Sequence, residues 1–180
     1  MLERSRSPPM PQVHPEGALM LGDRRLRCAL GRGGVVRAVC KREGDGTTPA
    51  GAWPLRRVLF RPDREAPPTT RLPVQPLRLG DGWCDAPEDP LYNQPVRLPY
   101  RGGAEDLWRE DALYDLLVVL GHNEPPATPG AGSAIFLHLA TQEFTPTRGC
   151  VALARADMLD LLGRVGPKDV MTILAPAASA

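Results

Sequence analysis

The sequence predicts a mainly β fold in one domain, and three observations carry the prediction. Gly 18 and Pro 21 together make 39 of 180 residues, well above the ~12% of an average chain. Both residues punctuate a chain into turns and disfavour long helices. Hydrophobic residues make up 42%, which supplies a core and argues against wholesale disorder. The apolar stretches are short and bounded by Gly or Pro, the pattern of buried strands. At 19.5 kDa the chain fits one domain with a sizeable core and leaves little room for a second.

Taken in order, residues 1–15 (MLERSRSPPMPQVHP) lack the apolar stretch of a secretory signal and read as a disordered tail. Residues 16–175 read as the domain and 176–180 as a second tail. Residues 25–30 and 35–40 flank Gly31-Arg32-Gly33-Gly34 and read as a hairpin. Pairing Leu30 with Val35 puts Cys28 and Cys40 on separate rungs, too far apart for a strain-free bridge. Both are therefore expected as packed free thiols. Residues 41–51 are a polar, turn-rich loop. Residues 53–60 form a short strand, assigned to a sheet edge by Pro54.

Residues 61–80 hold five prolines and read as an extended connection with one strand near Leu77. Residues 81–85 read as a tight turn and 106–112 as one or two turns of helix. The apolar run 114–120 is the strongest buried strand, and 133–139 is a second. Met158, Leu159, Leu162 and Val165 keep helical spacing, so 155–164 is a helix. A last strand spans 170–174.

Charge excludes whole classes of partner. Lys plus Arg total 22 and Asp plus Glu total 21, a net charge of +1. That balance gives no broad basic surface for nucleic acid and no charged tail. No apolar run reaches the ~20 residues of a membrane-spanning helix. The four cysteines, at 28, 40, 84 and 150, form no C-x-x-C pair, which removes zinc ribbons and thioredoxin-type motifs.

The chemistry concentrates in Thr145-Pro146-Thr147-Arg148-Gly149-Cys150-Val151. A glycine directly before a cysteine lets a substrate carbonyl approach the backbone without a Cβ in the way. Nearby amides can then stabilise an oxyanion. A thiol nucleophile also needs a proton acceptor. Of His14, His122 and His138, the first lies in the tail. His138 ends a strand twelve residues before Cys150. Alone, this pair does not decide between a catalytic thiol and a packed one. His122 follows the strand 114–120 and either lines the same cleft or sits in an exposed loop. His122, His138 and Cys150 make only three metal ligands with no short-spaced pair, so no metal is expected. Trp53 and Trp108 are expected in the core.

The run Ser133-Ala134-Ile135-Phe136-Leu137-His138, followed by Pro146-Thr147-Arg148-Gly149-Cys150-Val151, resembles the signature of the YkuD-type L,D-transpeptidase family. The block Asp45-Gly46-Thr47-Thr48-Pro49-Ala50-Gly51-Ala52-Trp53 resembles that family's Thr-Pro-x-Gly-aromatic stretch. With Trp83-Cys84-Asp85 and Tyr92-Asn93, these blocks are similar to its small stand-alone bacterial branch.

The resemblance implies a catalytic domain of β-sandwich type with one or two short helices. It implies Cys150 as nucleophile and His138 as general base and acid. Gly149 and Cys150 amides would form an oxyanion hole, and Thr147 would fix the imidazole or the loop. The implied reaction is acyl transfer between peptidoglycan stem peptides through a thioester. L,D-carboxypeptidase activity and a non-catalytic wall-binding module are the alternatives. Where many family members carry an arginine two residues after the cysteine, this chain has Ala152. Substrate carboxylate recognition is therefore assigned to Arg148 and Arg155, with His122 at the cleft. No cofactor is implied, a monomer is expected, and the substrate points to the periplasm or cell envelope.

Overall fold

The computed structural model of the chain describes residues 10–177. The tail expectations for residues 1–9 and 178–180 lie outside the described residues. The strands are β1 (Gln12–His14), β2 (Ala18–Leu21), β3 (Arg24–Ala29), β4 (Val35–Arg37), β5 (Thr48–Phe60), β6 (Val74–Pro76) and β7 (Asp81–Cys84). They continue with β8 (Pro95–Arg97), β9 (Ala104–Asp106), β10 (Leu116–Leu120), β11 (Phe136–Leu139), β12 (Val151–Leu153) and β13 (Val170–Ile173). Helix α1 (Arg155–Arg164) lies between β12 and β13, and Ala38–Cys40 form one 3-10 turn.

The larger sheet runs β10-β11-β12-β3-β2-β1-β13-β5-β4, and β10 also pairs with β5, so the path returns on itself. This barrel-like closure replaces the expected sandwich. Its cause is the length of β5, 13 residues. Gly51 to Pro54 pair with β13, and Leu55 to Phe60 pair with β10. A separate sheet, β8-β7-β9, covers part of the outside. Among the described residues no helix is long and apolar enough to cross a membrane.

The central strands are buried on both faces, which is why they read as unbroken apolar runs. Leu116, Val118 and Leu120 of β10, Leu137 and Leu139 of β11, and Val151 and Leu153 of β12 join one core cluster. Met158, Leu161 and Leu162 of α1 seal it. The alternate residues Leu117, Val119, Phe136 and Cys150 join a second cluster with Trp83 and Leu107. Trp83 of β7 packs edge-on against Phe136 at 5.2 Å, so the small sheet sits over this second face. Trp53 packs partly buried against the first cluster and Trp108 against the second.

Several local expectations give way to tertiary pairing. β1 lies inside the stretch read as a tail, yet it pairs with β2 and β13. The hairpin across Gly31–Gly34 does not form. β3 pairs with β2 and β12, while β4 runs parallel to β5. All four cysteines are free, but Cys40 is exposed rather than packed. Residues 81–85 are mostly strand β7, and 106–112 contain no helix. In α1, Leu161 rather than Leu159 faces inward, and Leu159 is 43% exposed.

Candidate active site

β11 and β12 run parallel, with Leu137 opposite Val151 and His138 opposite Ala152. Cys150 immediately precedes this rung and stands beside Phe136. The Phe136 amide donates to Cys150 Sγ at 3.3 Å, and the thiol donates to Ala134 O at 3.2 Å. Side chains alternate along a strand, so Phe136 and His138 share a face, as do Cys150 and Ala152. Strand spacing of ~4.8 Å and a rise of ~3.3 Å per residue put the α-carbons of His138 and Cys150 about 8 Å apart. Both line one cleft of about 670 Å³.

The imidazole is oriented by its own strand. His138 Nδ1 lies 2.8 Å from Leu139 O. A carbonyl only accepts, so Nδ1 carries the proton and a neutral ring leaves Nε2 as a free base. The Tyr114 ring meets it at 5.2 Å between centroids. Burial drives the His138 pKa down to about 4, against the opposing Leu139 hydrogen bond. Burial, aided by the Glu105 carboxylate, pushes the Cys150 thiol up to about 12, with the Phe136 amide, Lys41 and Arg109 opposing. At rest the pair is a neutral thiol and a neutral imidazole. The apolar floor that fixes Cys150 also strips solvent from its thiolate.

The loop before Cys150 is held from both sides. Thr147 donates through its N–H to Leu30 O at 2.8 Å and accepts from Arg32 N at 2.9 Å. Its hydroxyl donates to Cys150 O at 2.7 Å and accepts the Gly149 amide at 3.1 Å. Thr147 therefore fixes the loop. Gly149 has φ +141°, and a Cβ there would meet Thr47 O at 2.8 Å. The close approach of the Asp45–Thr48 block to this loop is what requires glycine.

That block is itself braced by Asp45. Its carboxylate accepts from Lys41 Nζ at 2.5 Å, Arg42 N at 2.7 Å, and both Thr47 N and Thr47 Oγ1 at 2.8 Å. Burial opposes ionisation, but these donors together outweigh it and bring the Asp45 pKa down to about 2. Thr48 Oγ1 accepts the Gly31 amide at 2.8 Å. The two sequence blocks that are distant in the chain thus meet as floor and backstop of one loop.

Cys150, His138, Thr147, Gly149 and Arg148 line the cleft together. Arg155 does not line it; its guanidinium pairs with Glu65 and lies 4.0 Å from Asp115. His122 also lies elsewhere. Its ring meets Trp53 edge-on at 4.8 Å and borders a different cavity. An ion pair with Glu65 holds the exposed Arg155 away from the cleft, and contacts with Trp53 and Ala131 O hold the buried His122 away from it; sequence proximity revealed neither.

Sequence reasoning missed the opposite wall. The small sheet brings Glu105 to the cleft, where Tyr114 Oη donates to it at 2.6 Å and Arg109 lies 3.9 Å away. Burial raises the Glu105 pKa. Lys41, 2% exposed, lines the same cleft. No local motif marks either one. Among the described residues no group of three His, Cys, Asp or Glu side chains is arranged to hold a metal.

Comparison with protein-family models matches the L,D-transpeptidase catalytic domain, YkuD, over residues 18–173. No curated protein and no solved structure matches the chain. The matched stretch contains both blocks that meet behind Gly149, together with the cleft pair His138 and Cys150, and the chain belongs to the YkuD family of L,D-transpeptidase catalytic domains.

Proposed function

We propose that the protein is a cysteine acyltransferase acting on peptidoglycan stem peptides, an L,D-transpeptidase working in the cell envelope. The observation that carries this reading is the shared face of β11 and β12. It sets Cys150 and His138 in one cleft, with Leu139 O holding the His138 Nδ1 proton.

The sulfur attacks the carbonyl carbon at the L-centre of an L,D bond while its proton passes to His138 Nε2. Because both groups are neutral at rest, the transfer accompanies attack rather than preceding it. The carbonyl oxygen becomes an oxyanion. The Cys150 amide has no hydrogen-bond partner among the described residues, which supports it as the donor to that oxyanion. The Gly149 amide, expected to share that task, is already committed to Thr147 Oγ1.

Collapse breaks the C–N bond, and the leaving D-alanine amine takes the proton from His138. The acyl group is then a thioester on Cys150. An acceptor amine, giving a proton to His138, attacks the thioester, and the thiolate leaves and regains a proton. Arg148, exposed at the cleft, is the cation available to substrate carboxylates in place of an arginine at Ala152; the buried Lys41 is already paired with Asp45.

Intact mass spectrometry after exposure to a tetrapeptide-stem donor tests this. The expected result is an adduct of the donor acyl group, less D-alanine, on wild type and none on Cys150→Ala. An unmodified wild-type protein that releases no D-alanine overturns the reading and leaves a wall-binding module. Product analysis on muropeptides separates cross-links from trimmed stems, the carboxypeptidase outcome.

A further inference from the structure

A second cavity lies on the same face of the large sheet, beyond the small sheet from the cysteine. It has a volume of about 210 Å³ and is lined by Arg57, Trp83, Val119, His122, Ile135 and Phe136, among others. The register sets its distance from the cleft. Val119 pairs with both Arg57 and Phe136, and Phe136 stands beside Cys150. Arg57 and Cys150 are therefore three strand spacings apart, about 14 Å along the sheet. Trp83 packs on Phe136 between them and separates the two spaces.

This cavity holds polar groups that the fold leaves unused. Arg57 is half-buried, and its Nε is buried without a hydrogen-bond partner. No carboxylate pairs with it among the described residues. The adjacent Arg56 pairs directly with Glu124; Glu124 also lines the cavity and attracts the Arg57 charge without an ion pair or hydrogen bond to it, so two arginines share one carboxylate. Its guanidinium lies 5.7 Å from the centre of the Trp83 ring.

His122 is 5% exposed. Its Nε2 lies 3.0 Å from Ala131 O and must donate to it, so Nδ1 in the neutral ring is a lone pair. Nδ1 is buried and has no partner. Asn93 cannot serve either group. Its amide nitrogen donates to His122 O at 3.0 Å and Asn123 O at 2.7 Å. Its oxygen accepts from Trp83 Nε1 at 2.9 Å and Ala134 N at 3.0 Å. Buried polar atoms without partners are rare in native proteins and call for an explanation.

We propose that this cavity is a second ligand site, which takes the terminal residue of a peptide through its carboxylate and its N–H. The carboxylate lies on the Arg57 guanidinium, a charge-assisted pairing that arginine favours. The amide N–H, one carbon away from the carboxylate, donates to His122 Nδ1. The side chain rests on Trp83 and Val119. A volume below the ~300–1,000 Å³ of sites for drug-sized ligands admits about one residue. The site does not depend on Cys150 chemistry.

Titration calorimetry and amide and indole NMR on the full chain test it with three probes: N-acetylalanine, N-acetylalaninamide and acetate. N-acetylalanine is expected to bind saturably and to shift Trp83 and His122. The amide, without the charge, and acetate, without the N–H, should each bind at least ~10-fold more weakly. Arg57→Gln should lose a similar factor for N-acetylalanine while the Cys150 alkylation rate stays at the wild-type value. Equal affinity for the amide, equal affinity of Arg57→Gln, shifts centred on His138 and Cys150, or no binding of N-acetylalanine each overturn the proposal. Acetate binding as tightly as N-acetylalanine overturns the peptide terminus in favour of a plain anion site. If Arg57→Gln does not fold, the three probes on wild type still decide.

Discussion

The Phe136 amide donates to Cys150 Sγ across 3.3 Å, so the sulfur is fixed by the backbone of the strand that also carries His138. The hydrogen bond favours the thiolate, but burial and Glu105 oppose it and leave the thiol pKa up at about 12. Iodoacetamide at pH 7 should therefore modify exposed Cys40 at least ~10-fold faster than Cys150, since the thiolate is the nucleophile. The Cys150 rate should climb as pH rises toward the alkaline range. Peptide mapping by mass spectrometry measures both, and a Cys150 that labels first at pH 7 contradicts the assigned electrostatics.

Glu105 repels the Cys150 thiolate, so removing its charge should lower the thiol pKa. Glu105→Gln is expected to alkylate Cys150 severalfold faster at pH 9, where wild-type Glu105 is ionised. Tyr114→Phe, which removes the 2.6 Å hydrogen bond but keeps the carboxylate, should not give that gain. Parallel pseudo-first-order labelling rates make the comparison.

His138→Gln should cut acyl-transfer rate by roughly 10²–10⁴-fold, the range for loss of a positioned acid–base group. It also has a stability signature. The folded pKa is lowered from 6.5 to about 4 by burial. The unfolded chain thus binds more protons between these values, and stability falls as pH drops from about 6.5 toward 4. Thermal or urea unfolding across that window should show a shallower decline in His138→Gln. Part of the decline should remain, because burial also lowers the His122 pKa.

Gly149→Ala forces a Cβ to within 2.8 Å of Thr47 O at φ +141°. Backbone strain of this kind costs about 1–3 kcal/mol, and the neighbour is main chain with little room to yield. Stability should fall by that amount, and donor acylation should fall with it, because the loop that carries Cys150 must move. Urea unfolding and the thioester assay give the two readouts; a variant matching wild type in both would remove glycine's role here.

Asp45→Asn should loosen the same loop from behind. The native carboxylate has its pKa lowered from 3.8 to about 2, a stabilisation of roughly 2 kcal/mol present above pH 4 and lost as pH falls through 2. The wild-type and Asp45→Asn unfolding free energies should differ at pH 7 and converge at the acid end. A constant difference across pH would assign the effect to packing instead.

Some of this protein was legible in the chain because its cause is local. Helix α1 follows from the spacing of Met158 and Leu162, and its bounds match the expected 155–164. β10 and β11 announced themselves as apolar runs because both of their faces are buried. Gly149 before Cys150 was visible as a step without a Cβ, read as room for a substrate carbonyl; the contact that the structure sets against it is Thr47 O. The short strands β1, β7, β8 and β9 were not visible. Each has only three or four residues, too few to show a period, and exists because a partner strand supplies its hydrogen bonds.

The sequence by itself determined which groups are chemically competent, since a thiol, an imidazole and a glycine keep their properties wherever they lie. Only the tertiary structure decided their company. Parallel pairing of β11 with β12 brought His138 and Cys150 to one face, and the separate sheet brought Glu105 to the facing wall. Partners closer at hand took Arg155 and His122 elsewhere. Contacts across many residues are set by strand register and closure of the barrel, and neither is written in any local stretch of chain.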